Sequence, residues 1–291
     1  MLLYIKINYR TDKENMAQII SMLNFKGGVG KTSLCVWTAA WLERKLKGKK
    51  KIIVIDLDNQ PAATKYMHGK PMTFNKYMLD YKDNNICKVL DGSCEVTKAI
   101  QTRQNKMDSR IGKIDYIFGS KECTADYFSE KGININKALS NLIDDLEKLN
   151  YDYILIDCHP GSSELEDATI ALSDLCIIPA IPELIEISGM LDMLQYCAVI
   201  PSRRNRINAV VLNRCENKTI HNSIKKECQK FIDNPKFSGY FFKSSIDSCT
   251  FASQAINRNE LLPYFKPQCK TSQGVKNMVE EMLQLLGEGN E

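Results

Sequence analysis

Short apolar runs alternate along the chain with longer polar or mixed segments. Runs of the length of buried strands lie at residues 19–23, 52–55, 153–156, 175–179 and 207–212. Between residues 139 and 149, leucine and isoleucine recur at helical spacing, which predicts a helix that covers a sheet. This order of strands and helices is typical of an α/β domain.

A glycine-rich stretch follows the first apolar run and precedes a predicted helix over residues 33–45. A strand, a glycine loop and a helix form the context that a phosphate-binding loop requires, whereas a plain glycine turn does not need the Gly-Lys-Thr register. The glycines let backbone N–H groups surround phosphate oxygens, and the helix N-terminus adds partial positive charge. Lys31 is predicted to reach the β- and γ-phosphates, and the Thr32 hydroxyl to bind Mg²⁺. The predicted phosphate-binding residues are Gly27, Gly28, Val29, Gly30, Lys31, Thr32 and Ser33.

The loop departs from the common phosphate-loop pattern, because Phe25 stands where a glycine is usual and a second lysine, Lys26, begins the loop. This string resembles the deviant Walker A motif of the ParA/MinD family of ATPases, and the resemblance covers residues 16–286. It implies a three-layer P-loop NTPase: a twisted, mostly parallel sheet with helices on both faces and the site at the carboxyl edge. In that family the early lysine reaches the partner's nucleotide across a dimer interface. Lys26 is therefore expected, with Lys31, to stabilise charge on the γ-phosphate.

Acidic residues end two of the predicted strands. Asp56 and Asp58 follow the run at residues 52–55 and point to the same side, and Asp157 ends the run at residues 153–156. These segments resemble the family's Asp-x-Asp and Walker B elements. The resemblance implies that Asp58 orients the attacking water, and that Asp56, Asp157 and Thr32 hold Mg²⁺ and its waters. A role of Asp56 and Asp58 in capping the next helix is the alternative, and Asn59, Pro61 and His159 depart from the family's pattern.

The later segments are assigned by resemblance. Asn213 and Arg214, after the run at residues 207–212, match the family's adenine contacts. The other assigned segments are a helical insert (85–92 and 96–100), a strand with its exit turn (114–120), a loop and helix at the dimer face (182–189), a last strand (237–242), a loop that closes over the base (245–256) and a terminal helix (275–286). Residues 67–83 are interpreted as a long loop, with a partner surface as the alternative.

The chain has 291 residues, enough for one large α/β domain, predicted over residues 16–291 after an N-terminal extension at residues 1–15. Its charge is uneven: residues 201–243 hold ten Lys and Arg but three acidic residues, in a chain with 39 basic and 35 acidic residues. Such a patch predicts nonspecific DNA binding through phosphate contacts, with a solvated helix face as the alternative. The candidate DNA-binding residues are Arg203, Arg204, Arg206, Lys218, Lys225 and Lys226.

The eleven cysteines show no Cys-x-x-Cys pair and lie mostly in apolar stretches, which predicts reduced, buried thiols in a cytosolic chain. No apolar run approaches the ~18–20 residues of a membrane span, and the first residues do not have the pattern of a secretory signal. The protein is therefore expected in the cytoplasm, and the resemblance implies that it associates with the nucleoid when ATP is bound.

The resemblance implies a ParA-type partition ATPase that uses ATP and Mg²⁺. It would form an ATP-dependent homodimer, bind DNA nonspecifically and hydrolyse ATP slowly until a ParB-like adaptor stimulates it. A MinD-like ATPase that positions a protein cargo or a membrane site is the alternative; membrane binding needs a basic amphipathic anchor, and residues 279–288 are acidic. An iron–sulfur carrier would need a cysteine pair at the dimer axis, and a non-enzymatic binding module would leave the loop lysines idle.

Overall fold

The computed structural model describes residues 16–69, 81–104, 113–232 and 241–288. The proposed extension at residues 1–15 and most of the stretch 67–83 lie outside these ranges. In chain order the elements are β1 Gln18–Met22, α1 Lys31–Leu46, β2 Ile52–Asp56, α2 Ala62–His68, α3 Ile86–Leu90, α4 Val96–Ala99, β3 Ile100–Gln104, β4 Lys113–Ile117, α5 Ala125–Glu130, α6 Ile135–Lys148, β5 Tyr153–Asp157, α7 Glu164–Leu172, β6 Leu175–Ala180, α8 Leu184–Val199, β7 Ile207–Cys215, α9 Thr219–Ile232, β8 Phe241–Asp247, α10 Thr250–Asn257, α11 Leu262–Phe265 and α12 Lys270–Leu285.

The strands of the described chain form one sheet in the order β3-β4-β2-β5-β1-β6-β7-β8. Its neighbours pair in parallel except for β3 and β4, which are antiparallel. The register places Asp157 beside both Met22 and Asp56. The carboxyl ends of β1, β2 and β5 therefore lie at one level, where the glycine loop and the acidic residues meet.

Helices cover both faces of the sheet, because successive side chains of a strand point to opposite faces. In β1, Ile19 joins the core that includes Leu139 of α6, whereas Ile20 joins the core that includes Leu34 of α1. The prediction of a three-layer α/β fold with a mostly parallel sheet is confirmed. Within the described residues, no helix is long and apolar enough to cross a membrane.

The C-terminal part differs from the sequence prediction. The last strand continues to Asp247, and helix α10 then occupies most of the stretch that was expected to be a loop at residues 245–256. The strand can continue through polar residues, because the Glu281 carboxylate of α12 accepts hydrogen bonds from the backbone amides of Lys243 and Ser244, both at 2.7 Å. A side chain from a helix distant in sequence thus accepts the backbone hydrogen bonds of an edge strand, and no local sequence pattern predicts this contact.

The sequence analysis also did not predict the polar edge strand β3 or the first residues of helix α12. Strand β3 pairs in an antiparallel manner with β4, although its sequence lacks an apolar run. Helix α12 begins five positions before the predicted start at residue 275, because Ser272 is buried and its carbonyl accepts a 2.9 Å hydrogen bond from the Trp41 indole. Long-range contacts, which local periodicity does not report, set these boundaries.

Candidate nucleotide-binding site

The glycine loop connects β1 to α1 at the carboxyl edge of the sheet. Gly30 precedes the first helical residue with φ of 98°, a left-handed conformation that favours glycine. A Cβ at Gly30 would lie 2.3 Å from Nδ2 of Asn213, so a larger residue here would have to displace the Asn213 side chain. The loop is held in one shape before helix α1 begins.

Lys31 and Asn24 stabilise the loop from inside. The Lys31 ammonium donates to the backbone carbonyls of Asn24 at 3.1 Å and Lys26 at 2.8 Å. The Asn24 amide donates to the Pro179 carbonyl of β6 at 2.8 Å, and its oxygen accepts from the Lys26 amide at 2.9 Å. Burial lowers the pKa of Lys31, and the nearby carboxylate of Asp157 opposes this effect. The sequence analysis did not identify Asn24, whose only signal was an amide residue immediately before the loop.

Asp56 and Asp58 lie at the end of β2 and bind backbone amides. Asp56 is buried and accepts hydrogen bonds from the amides of Asp58 at 3.2 Å and Thr64 at 2.7 Å. The Asp58 carboxylate accepts from the Gln60 amide at 2.8 Å. Burial raises the pKa of Asp56 to about 7. Thr64 lies in the first turn of α2, so Asp56 accepts a backbone amide of that turn, as the alternative helix-capping role requires.

Asp157 is the most deeply buried acid of the site. It is 0% exposed, and among the residues that the structure describes neither carboxylate oxygen has a hydrogen-bond partner. Burial and the neighbouring charge of Asp56 raise its pKa well above the ordinary value, and the nearby Thr32 hydroxyl opposes the rise. A buried carboxylate without a partner is costly unless a proton or cation neutralises it. Asp157 and Thr32 therefore fit a hydrated Mg²⁺, which binds through one or two protein oxygens, waters and phosphates. In the described residues no group of three or more His, Cys, Asp or Glu side chains could hold a metal ion alone.

The residues predicted to contact adenine lie at the end of β7. The Asn213 amide is buried and donates to the Val29 carbonyl at 2.8 Å, so it stabilises the phosphate loop. Arg214 is exposed and has φ of 52°, within an irregular part of the β7–β8 ladder. Such strain in a non-glycine residue is concentrated at functional sites. Tyr66 of α2 lies beside Ser33 and Arg214: burial raises the pKa of its phenol, which both neighbours oppose. Tyr66, which the sequence analysis left in an unassigned segment, therefore lines the same side of the site.

Lys26 extends away from the loop onto α8 of its own chain. Its ammonium donates to the Ile185 carbonyl at 2.8 Å and pairs with Glu186 at 3.2 Å. The second Glu186 oxygen is buried and has no partner within the described part of the chain. A Cβ at Gly189 would lie 3.1 Å from Cε of Lys26, so the small residue makes room for the lysine. Beside this contact, Leu184 and Ile185 are 73% and 72% exposed. Lys26 thus lies next to an unusually exposed apolar pair.

The basic residues do not form one patch. Arg203, Arg204 and Arg206 precede β7, whereas Lys218, Lys225 and Lys226 follow it. Nine residues of strand separate the two groups by about 30 Å. Lys218 pairs with Glu216 at 2.7 Å, Lys225 pairs with Asp247 at 3.3 Å, and Lys226 is exposed.

Two of the arginines, Arg204 and Arg206, contact protein groups within the chain. The Arg204 guanidinium pairs with Asp174 at 3.0 Å and Glu147 at 3.2 Å, and its side chain is 11% exposed. The Arg206 guanidinium donates to the Ile170 carbonyl at 3.0 Å and the Ile200 carbonyl at 2.9 Å. The donors of both guanidinium groups thus already bind protein groups, and DNA contact by these two arginines stays a prediction.

A glycine loop that joins a strand to a helix, with a buried acid on the neighbouring strand of a parallel sheet, defines a P-loop NTPase. A family model described as an AAA domain (AAA_31) matches residues 17–210, about two thirds of the chain. The protein belongs to this family and, with its relatives, to the ParA/MinD group of ATPases.

Curated relatives resemble the chain over most of its length or over about two thirds of it. An uncharacterised protein of Pseudomonas putida is 30% identical over 195 residues, which are 65% of this chain and 66% of that protein. The match thus spans just under two thirds of this relative. The sporulation initiation inhibitor protein Soj of Bacillus subtilis is 23% identical over 272 residues, 92% of this chain and 98% of Soj.

Solved structures share the fold. A plasmid partition protein of Borrelia burgdorferi bound to AMPPNP has a TM-score of 0.68 and 21% identity, over 92% of this chain and 99% of that one. The septum site-determining protein MinD of Pyrococcus horikoshii, in complex with Mg-ADP, has a TM-score of 0.67 and 18% identity, over 95% of this chain and 100% of MinD. At these identities the likeness establishes the architecture alone.

Proposed function

We propose that the protein is a ParA-type partition ATPase. In this proposal two copies dimerise around two molecules of Mg-ATP, the dimer binds DNA nonspecifically, and a ParB-like adaptor accelerates slow hydrolysis and so releases the DNA. Membership of the ParA/MinD group and the relatives' names, among them a plasmid partition protein and Soj, favour this function.

The phosphate loop and the buried acid support ATP and Mg²⁺ as ligands. Lys31 can exchange its bonds to loop carbonyls for phosphate oxygens at the start of α1, where the helix dipole also favours negative charge. Thr32 and Asp157 would hold Mg²⁺, which when bound neutralises charge on the β- and γ-phosphates. Loading would also relieve the desolvation of the unpaired Asp157 carboxylate.

Asp58 is the residue proposed to orient the attacking water. It ends the same strand as Asp56, lies close enough to influence the pKa of Lys31 and Asp157, and receives one backbone hydrogen bond through Oδ1. Its remaining acceptor capacity can hold a water in line with the γ-phosphate. Positioning and charge neutralisation, with no covalent intermediate, are sufficient for this class of reaction.

The observation that carries the proposal of dimerisation is the position of Lys26 beside an exposed apolar pair. Leu184 and Ile185 are more than two thirds exposed in the first turn of α8, where a second copy could cover them. The ion pair of Lys26 with Glu186 is one-third exposed at the lysine, and such pairs contribute about 0–1 kcal/mol. Lys26 can therefore leave Glu186 for a partner's phosphate at small cost.

Oligomeric state tests dimerisation. With Mg-ATP, the Asp58→Ala variant is expected to bind nucleotide without hydrolysis and to sediment as a dimer, whereas Asp58→Ala combined with Lys26→Ala remains monomeric. Omission of nucleotide should return the first variant to monomers. A protein that stays monomeric at saturating ATP, with nucleotide binding verified by calorimetry, would contradict the proposal.

The DNA surface is proposed along the first half of α9, where Lys218 precedes the helix and Lys225 and Lys226 lie near its middle. Lys225 pairs with Asp247 at the carboxyl end of β8, which is the edge of the sheet that holds the site. The electrostatic attraction of this surface would be independent of sequence and would fall as salt rises. Fluorescence anisotropy with random duplex DNA measures this: changing the three lysines to Gln should weaken ATP-dependent binding and flatten its salt dependence. Arg203→Gln, on the other edge of the sheet, is the matched control. Equal effects of the triple and control variants would reject this surface.

A further inference from the structure

Eight of the eleven cysteines are buried, and the three with partly exposed side chains are Cys94, Cys249 and Cys269. Two of these three, Cys249 and Cys269, are neighbours whose thiols share a hydrogen bond. Cys249 is the residue before α10 and Cys269 is the residue before α12, and the first turns of these two helices lie next to each other. Thr271, two residues after Cys269 in the first turn of α12, connects the two helix starts, because its hydroxyl lies 3.1 Å from the Cys249 sulfur.

We propose that Cys249 and Cys269 form a reversible oxidation site, in which a peroxide oxidises Cys249 and Cys269 then closes a disulfide. Each thiol stands at a helix N-terminus, where the backbone amides favour negative charge on sulfur. The pair does not belong to the phosphate loop or to its acids, and the proposed ATPase cycle does not use it.

The two thiols have different chemical roles. Burial raises the pKa of Cys249, but hydrogen bonds from the Thr271 hydroxyl, the Ala252 amide and the Cys269 thiol outweigh it and leave the pKa below its ordinary value. Burial, together with the hydrogen bond to Cys249, raises the pKa of Cys269. A thiolate that accepts a hydrogen bond from a protonated neighbour is the arrangement of a nucleophile with its resolving cysteine.

The reaction balances with one peroxide. The Cys249 thiolate attacks one oxygen of hydrogen peroxide: an S–O bond forms, the O–O bond breaks, and hydroxide leaves as water after it takes a proton. The Cys269 sulfur, after losing its proton, attacks the Cys249 sulfenic acid, so that an S–S bond forms and the S–O bond breaks to release a second water. Two thiols are oxidised by two electrons, and an external dithiol restores them.

The disulfide would join the starts of α10 and α12 and enclose residues 249–269. This segment and the start of α12 contact helix α1. Tyr264 of α11 donates to the Glu43 carboxylate at 2.7 Å, and Trp41 donates to the Ser272 carbonyl of α12 at 2.9 Å. The oxidation site is therefore fixed on the helix that begins at the phosphate loop.

Peptide mapping of the reduced, folded protein after treatment with hydrogen peroxide tests the proposal. The mass should fall by two hydrogens, and trypsin should release peptides 244–258 and 259–270 as one disulfide-linked species that dithiothreitol separates. With limiting iodoacetamide at neutral pH, Cys249 should react at least about tenfold faster than Cys94, whose pKa burial raises.

Variants separate the two roles. Cys269→Ser should leave Cys249 as a sulfenic acid that dimedone traps, and Cys249→Ser should abolish both products. Cys176 and Cys197, which also contact each other but are fully buried, should stay reduced while the protein is folded. No 249–269 link in the folded wild-type protein, or Cys94 reacting as fast as Cys249, would overturn the proposal. Neither readout depends on ATP binding.

Discussion

The contact between Gly30 and Asn213 makes a quantitative prediction about the shape of the phosphate loop. Gly30→Ala would place a methyl group 2.3 Å from the Asn213 amide nitrogen and would impose φ of 98° on an alanine. The left-handed conformation costs about 1–2 kcal/mol. Displacement of the Asn213 amide also leaves the buried Val29 carbonyl unpaired, which costs about 1–3 kcal/mol. The expected loss of unfolding free energy is therefore about 2–5 kcal/mol.

A double-mutant cycle isolates the two terms. Asn213→Ala alone loses the bond to Val29 but also removes the clash, so Gly30→Ala in that background should cost only the backbone strain of about 1–2 kcal/mol. Urea unfolding with a constant m-value measures each corner of the cycle. Gly48→Ala is the matched control, because Gly48 has φ of 72° and nothing within 4 Å of an added Cβ. Additive costs for Gly30→Ala and Asn213→Ala would refute the reasoning.

Three further predictions concern charged residues. Lys31→Ala should weaken nucleotide binding by about 10–150-fold in calorimetry, because a charge-assisted hydrogen bond is lost, and unchanged affinity would contradict its role. Burial holds the pKa of Asp56 at about 7, above its value of 3.8 in the unfolded chain, so its stabilising protonation is complete below about pH 4 and is lost as pH rises through about 7. Asp56→Asn should therefore gain stability relative to the wild type over this range, whereas parallel pH curves from denaturant titrations would exclude the shift. Arg204→Ala should lower the unfolding free energy by about 3 kcal/mol, because it leaves Asp174 and Glu147 unpaired, and DNA binding of the folded variant should not change.

The central strands and the phosphate loop were predictable from sequence because their signals are local. The apolar runs that became β1, β2, β5, β6 and β7 are buried over nearly their whole length, so they appear as continuous hydrophobic segments. The glycines and lysines between Lys26 and Thr32 have the spacing of a phosphate loop, and the apolar run that precedes them shows that the loop follows a strand. The proximity of the acids at the strand ends then follows, because parallel strands end at the same edge of a sheet.

The rest depends on contacts between residues far apart in the chain. The six candidate basic residues within residues 203–226 suggested one patch, but a nine-residue strand separates them into two groups and two of the arginines bind protein groups. Asn213 matched a base-contacting position, yet its amide binds the Val29 carbonyl 184 positions away. The contact of Lys26 with Glu186 and the proximity of Cys249 to Cys269 likewise arise from folding and have no pattern in the sequence.

The central claim is that Lys26 of one copy acts at the nucleotide of the other, and mixing two inactive variants tests it most directly. Lys26→Ala and Asp58→Ala should each lack ATPase activity alone. An equal mixture should regain activity, because each mixed dimer pairs one intact Asp58 with Lys26 of its partner. If the two variants pair at random, about half of the dimers are mixed and the rate is about one quarter of the wild-type rate. Mass photometry of differently tagged chains verifies that mixed dimers form. If mixed dimers form with ATP and the mixture stays inactive, Lys26 acts only within its own chain and the account is contradicted.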